Sequence, residues 1–197
     1  MRHDHARFPA QQTLSPTFER FWPATITWQT YLGEVEDKAD LWASHAKRAS
    51  VHDDERSRLQ HLPARRRLLV LSEDWCGDAI RSTPTLVAMA DATPDLELRL
   101  LRVDAHPDAL SEHLTLGGRA IPLALVFDED DDLIGVWGPR PAPLQAQLRA
   151  KIRQEGSPTD ETKGEFYAPI MAWYAKDRGR TIAQEVLMLL ERGGEAR

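Results

Sequence analysis

The stretch Arg67-Leu68-Leu69-Val70-Leu71-Ser72-Glu73-Asp74-Trp75-Cys76-Gly77-Asp78-Ala79 decides the fold. Its first six residues are a short apolar run of the kind shown by a strand covered on both faces. A turn carrying the only cysteine of the chain follows at once. From Ala79 to Asp91 the pattern becomes helical, with Pro84 inside it as an expected kink.

Working outward toward the C-terminus, Leu96 to Val103 alternates well enough for a second strand, and Pro107 to Leu114 fits a helix ended by Gly117-Gly118. Pro122 to Phe127 and Leu133 to Trp137 read as two strands joined by the acidic turn 128–132, and Pro143 to Gln154 as a helix. After Gly156-Ser157-Pro158 a helix is predicted from Gly164 to Lys176. Gly179 breaks it, and Thr181 caps a last helix through Leu190. Toward the N-terminus, Thr27 is placed to cap a helix that starts at Trp28 and runs through Trp42. Apolar residues recur along it at Tyr31, Leu32, Val35, Ala39 and Leu41. A shorter helix is predicted from Asp53 to His61, closed by Pro63, and residues 1 to 16 read as an irregular arm.

The core order is therefore strand, helix, strand, helix, strand, strand, helix. Its first half needs a parallel crossover, and its last two strands make a hairpin. The expected class is α/β, with a central mixed sheet of about four strands flanked by helices. Three segments form one compact domain: 1–64 as N-terminal arm and helices packing on the core, 65–155 as the core, and 156–197 as a C-terminal helical extension.

A net charge of -6 over 197 residues argues against nucleic acid or an anionic membrane as partner, because both call for a basic face. Arg65-Arg66-Arg67 reads as the solvated beginning of a strand. No run of about 18 apolar residues is present, so no membrane span is expected. The first residues lack the apolar run of a secretion signal, and the expected location is the cytoplasm. One cysteine cannot close an intramolecular disulfide, so packing alone must hold the fold.

The run Asp128-Glu129-Asp130-Asp131-Asp132 lacks the alternating oxygens, central glycine and distal glutamate of a calcium loop, and it reads as a hairpin turn. The histidines are scattered, His3 and His5 falling in the N-terminal arm, and no metal or bound cofactor is expected. Ser72, Ser82 and Thr83 pair with no histidine that the pattern places near them, so a hydrolase is not expected.

The order of elements, together with the turn Trp75-Cys76-Gly77-Asp78-Ala79, resembles the thioredoxin fold over residues 65 to 155. Thioredoxins place a proline five residues after the second cysteine position, where Pro84 stands here. They also place a cis-proline, preceded by an apolar residue, opposite the first cysteine; Ile121-Pro122 matches. Leu100 to Asp104 resembles the strand that ends in Val-Asp. The Glu-Asp-Trp-Cys-Gly-Asp-Ala stretch is similar to that of a bacterial branch of thioredoxin-like proteins with a single-cysteine motif.

Three positions depart from the family pattern. Ala79 stands where the resolving cysteine would be. Val70 replaces the buried aspartate, and Leu100 replaces its lysine partner. The resemblance therefore implies a single thiol, Cys76, as nucleophile, with Trp75 covering the sulfur and Pro122 shaping the surface that receives the thiol or peptide.

Reactivity depends on the thiolate. The N-terminus of a helix and the amides of Asp78 and Ala79 favour it, whereas the carboxylates of Glu73, Asp74 and Asp78 oppose it by a similar amount. Arg119 and Arg140 are expected at the same end of the sheet, as contacts for the thiolate or for an anionic partner. Two functions stay open. One is a monothiol thiol–disulfide oxidoreductase, its partners protein or small-molecule thiols and disulfides, with a low-molecular-weight thiol such as glutathione as co-substrate. The other is a non-catalytic thioredoxin-fold interaction module or thiol sensor. The apolar residues of the two C-terminal helices leave room for a homodimer.

Overall fold

Strand β1 (Arg66–Ser72) lies in the middle of a four-stranded sheet and explains its own sequence. It pairs in parallel with β2 (Leu96–Arg102) on one side and antiparallel with β3 (Leu123–Phe127) on the other. Covered on both faces, Leu68 to Leu71 are wholly buried, which is why the run is continuously apolar rather than alternating. Strand β4 (Leu133–Trp137) pairs antiparallel with β3, giving the order β2-β1-β3-β4. The computed structural model describes residues 16–111, 113 and 119–192.

Eight α-helices surround the sheet among these residues: α1 (Pro16–Phe21), α2 (Trp28–Gly33), α3 (Ala39–Arg48), α4 (Asp53–Leu59), α5 (Gly77–Ala90), α6 (Ala142–Glu155), α7 (Lys163–Asp177) and α8 (Arg180–Leu190). Helix α8 packs on α4, α5 and β4, and α3 packs on α5. The C-terminal extension thus belongs to the same apolar core as the sheet: Ile182, Val186, Leu187 and Leu190 are buried in one cluster with Leu68 to Leu71. Of the aromatic residues on α7, Phe166 and Tyr174 are buried, while Tyr167 and Trp173 pack half-buried against the core. The segment before α2 also joins the sheet: Ile26 and Leu100 exchange backbone hydrogen bonds of 2.8 and 2.9 Å.

Several local expectations differ from the structure. The single helix expected from Trp28 to Trp42 is two, α2 and α3. Thr27 does cap the first, its hydroxyl accepting from the Thr30 amide at 3.2 Å. Between them the Asp74 carboxylate accepts hydrogen bonds from the amides of Glu36 (3.0 Å) and Asp37 (3.4 Å), drawing the chain out of helical geometry, and Lys38 adopts a left-handed conformation. Pro16, assigned to the irregular arm, opens α1; the rest of that arm lies outside the described residues. The helix expected from Pro107 is a 3-10 turn over Pro107–Leu110, and Gly117-Gly118 lie outside the described residues.

The last helix starts after Gly179, not at Thr181, whose amide and hydroxyl both donate to Asp177. Arg66 is not solvated. It is 1% exposed, and its guanidinium donates to the carbonyls of Leu190 (3.0 Å) and Arg192 (3.1 Å), placing a positive charge on the C-terminal end of α8. Arg67 pairs with Asp131 in the acidic turn. There Asp128 accepts from the amides of Asp130 and Asp132 at 3.0 Å, as a hairpin turn does.

Candidate active site

Cys76 occupies the N-cap position of α5, immediately beyond the turn that leaves β1. Its thiol is buried, 8% exposed, and donates to the carbonyl of Ile121 at 3.4 Å. The Ile121–Pro122 peptide is cis, as is Gly138–Pro139. The two loops meet closely. Gly138 has φ +120, and a Cβ there would lie 2.2 Å from the Pro122 carbonyl oxygen, so only glycine lets the end of β4 turn this near. The approach carries Arg140 to the site.

Burial pushes the Cys76 thiol above its ordinary pKa. The amide of Ala79 acts in the opposite sense, the Asp78 carboxylate raises the value again, and the Asp78 amide and Arg140 lower it, without any full capping hydrogen bond onto the sulfur. The resting group is therefore the thiol, with the helix terminus too weak to offset burial.

The carboxylates of Glu73 and Asp74 are both taken up by structural contacts. Glu73 is buried and accepts from the Asp104 amide at 2.7 Å and from Arg102 at 3.2 Å. Arg102 in turn lies over the ring of Tyr31, 4.7 Å from its centroid. Asp74 holds the α2–α3 connection, and its carbonyl accepts from the indole N–H of Trp42 at 2.9 Å. Lys38 donates to the carbonyl of Trp75. The N-terminal helices thus clasp the turn from outside, and Trp42, wholly buried, is one of the clasps.

Asp78 is the carboxylate that remains beside Cys76. It is 7% exposed, forms an ion pair with Arg140, and accepts from the hydroxyl of Tyr174 on α7 at 2.9 Å. Burial, and then the Asp78 charge, push the Tyr174 pKa far above the ordinary tyrosine value, so it donates as a neutral phenol at all physiological pH. Arg140 also donates to Gln145 at 3.2 Å.

The structure therefore brings together Cys76, Gly77, Asp78, Ala79, Ile121, Pro122 and Arg140, but not Arg119, which is exposed and donates to Ser111 at 3.4 Å. Trp75 is 48% exposed, its indole N–H donating to Asp104 at 3.0 Å. Ala79 is fully buried directly behind the turn. Val70 and Leu100 are register partners on β1 and β2, both wholly buried, so an apolar contact stands where a dithiol thioredoxin carries its acid–base pair. Sequence reasoning missed Tyr174 and Trp42. Neither lies in a motif, and packing alone brings them to the turn. Among the described residues no cluster of three or more metal-ligating side chains occurs, and no helix is long and apolar enough to cross a membrane.

A four-stranded mixed sheet with a cysteine capping the helix after its central strand, opposite a cis-proline, defines the thioredoxin class of fold. A thioredoxin family model matches residues 25–154, more than half of the chain, and the protein belongs to that family. No curated protein matches it. Two solved structures are similar. One is a protein of unknown function from Pseudomonas aeruginosa, 23% identical with a TM-score of 0.67, the match covering 89% of this chain and 95% of that one. The other is an HIV epitope-scaffold, also 23% identical with a TM-score of 0.67, covering 86% and 94%. At this identity the likeness is one of fold.

Proposed function

We propose that the protein is a monothiol thiol–disulfide oxidoreductase acting through Cys76, with an external low-molecular-weight thiol such as glutathione as reductant. The observation that carries this reading is the placement of the one sulfur at the N-terminus of α5, 3.4 Å from the carbonyl that precedes the cis-proline. In this reading Cys76 loses its proton to water and its thiolate attacks the glutathione sulfur of a mixed disulfide. A bond forms between the two sulfurs, the substrate's S–S bond breaks, and the substrate leaves as a thiolate that takes up a proton. Ala79 offers no second thiol. A second glutathione thiolate therefore attacks the Cys76 adduct, releasing glutathione disulfide and restoring Cys76. One glutathione thiol is consumed per turnover: its sulfur leaves with the glutathione first carried by the substrate as the disulfide, and the substrate sulfur keeps the electron pair of the bond that broke.

Arg140 has a narrower role than a free anion contact, since its charge already faces Asp78. It tempers the effect of that carboxylate on the sulfur. Ile121 and Pro122 form the surface along which the substrate lies.

The test is reduction of a glutathionylated peptide by glutathione with catalytic amounts of the protein. Turnover that disappears in Cys76→Ser supports the reading, and no rate above background at pH 7 to 9 ends it. Robust reduction of insulin disulfides, a dithiol reaction, contradicts the part assigned to Ala79.

One observation favours a second reading, a non-catalytic interaction module. Trp75 is a large apolar side chain left 48% exposed beside a buried thiol, as a contact surface for another protein would require. Partner binding that survives Cys76→Ser but not Trp75→Ala separates it from the first.

A further inference from the structure

Between α3, α5 and the α7–α8 junction lies a cavity of about 530 Å³ whose lining includes Arg48, Arg81, Arg178, His45 and His52. On a chain of net charge -6 this is an unusual concentration of one sign, and no carboxylate lines the cavity. Among the described residues, none of the three arginines takes part in an ion pair. Arg48 Nε donates to the carbonyl of Ser44 at 3.1 Å and Arg81 Nη1 to that of Gly77 at 2.8 Å, each contact using one guanidinium nitrogen. The local field has a second signature. His45 is held below the ordinary histidine pKa, by burial first and then by the charges of Arg81 and Arg48.

Three arginines that line one cavity without carboxylate partners are matched by an anion with several oxygens and more than one charge. A single carboxylate satisfies one fork, whereas a phosphate group offers acceptors to more than one. The space exceeds a bare phosphate and accommodates an organic portion. Tyr174 is the one Phe, Tyr or Trp in the lining, and at 6% exposed its ring offers little open face to a nucleobase.

We propose that this cavity binds a small phosphate-bearing anion. The site rests on no assumption about the reactivity of Cys76. It does adjoin the cysteine turn, since Arg81 and Tyr174, both in its wall, bond to Gly77 and Asp78.

The experiment is titration calorimetry of the full chain with inorganic pyrophosphate, with citrate as a parallel ligand, on wild type, Arg48→Gln, Arg178→Gln and the remote Arg119→Gln. Circular dichroism verifies that each variant is folded. Saturable pyrophosphate binding is expected, weakened at least about tenfold in one or both cavity variants and unchanged in Arg119→Gln. No saturable binding at millimolar pyrophosphate overturns the proposal, as does equal affinity in wild type and both cavity variants. Citrate binding as tightly as pyrophosphate overturns the assignment to phosphate.

Discussion

Tyr174 and Asp78 are joined by a hydrogen bond of 2.9 Å across a separation of 96 residues, so the C-terminal extension reaches the residue two places after the cysteine. The same carboxylate pairs with Arg140. Three elements, α5, α7 and the turn after β4, thereby meet at one buried charge. Tyr174→Phe removes one hydrogen bond to that charge and leaves the ring in place. The expected loss is about 1 to 2 kcal/mol of unfolding free energy, measured by urea denaturation. The thiol of Cys76 should also titrate differently, because the phenol no longer shields Asp78. An unchanged denaturation midpoint would show that the contact contributes nothing.

Arg140→Ala should be the more damaging change. It leaves Asp78 buried without its cation, and breaking a buried pair from one side costs about 3 to 5 kcal/mol. Both side chains keep some solvent access, 17% and 10%, so the lower end of that range is expected. It also removes an influence that favours the thiolate, so alkylation of Cys76 by iodoacetamide at pH 8 should slow. Thermal unfolding and alkylation kinetics on the same preparation check both effects.

Asp78→Asn acts on the sulfur in the opposite direction. The carboxylate that disfavours the thiolate is gone, and Arg140 is left to favour it. The thiolate fraction at a pH below the pKa should therefore rise. The observed gain in alkylation rate should be smaller than the gain in thiolate, roughly three- to tenfold, because a less basic thiolate is also a poorer nucleophile.

The raised pKa of Cys76 also sets a pH dependence of stability. Folding favours the neutral thiol, so the contribution is fully present below the unfolded-state pKa and is lost as pH rises through the higher folded-state value. The stability difference between wild type and Cys76→Ala should therefore shrink on the alkaline side and stay constant from pH 6 to 7. Urea midpoints from pH 6 into the alkaline range measure it, and a difference that grows with pH would mean that the thiolate is the form held by the fold.

Gly138→Ala tests the closeness of the two proline loops. The new Cβ would meet the Pro122 carbonyl at 2.2 Å, and the backbone has φ +120, where only glycine is at ease. A loss of about 2 kcal/mol or more is expected. The Cys76 alkylation profile should shift with it, because Ile121, the acceptor of the thiol, sits on the displaced loop.

The sequence made the central elements plain wherever a local pattern was sufficient. β1 shows as an apolar run because both of its faces are covered, and the cysteine turn with Pro84 and Ile121-Pro122 fixes where the active-site helix and the third strand begin. Features caused by distant contacts left no such trace. Helix periodicity runs smoothly from Trp28 to Trp42, and the break comes from Asp74, a carboxylate 38 residues from the Glu36 amide it accepts. Arg66 looks like a surface residue until α8 ends against it. Asp74 lies as close to Cys76 in sequence as Asp78 does, and Glu73 one residue further, yet Glu73 is taken up by Arg102 and the Asp104 amide and Asp74 by the α2–α3 connection, while Asp78 stays beside the sulfur and disfavours the thiolate. Chain proximity gives no direction, and side-chain direction decides which charge the thiol feels.

The bridge between Ile26 and Leu100 bears on the behaviour of the protein at high concentration. β2 is an outermost strand, with its second row of N–H and C=O groups turned away from β1. Such an edge is a template on which a strand of another molecule can add. Here both peptide groups of Leu100 facing outward are already taken by Ile26, in the middle of the strand. The chain ahead of the cysteine-bearing core thus acts as a guard against edge-to-edge aggregation.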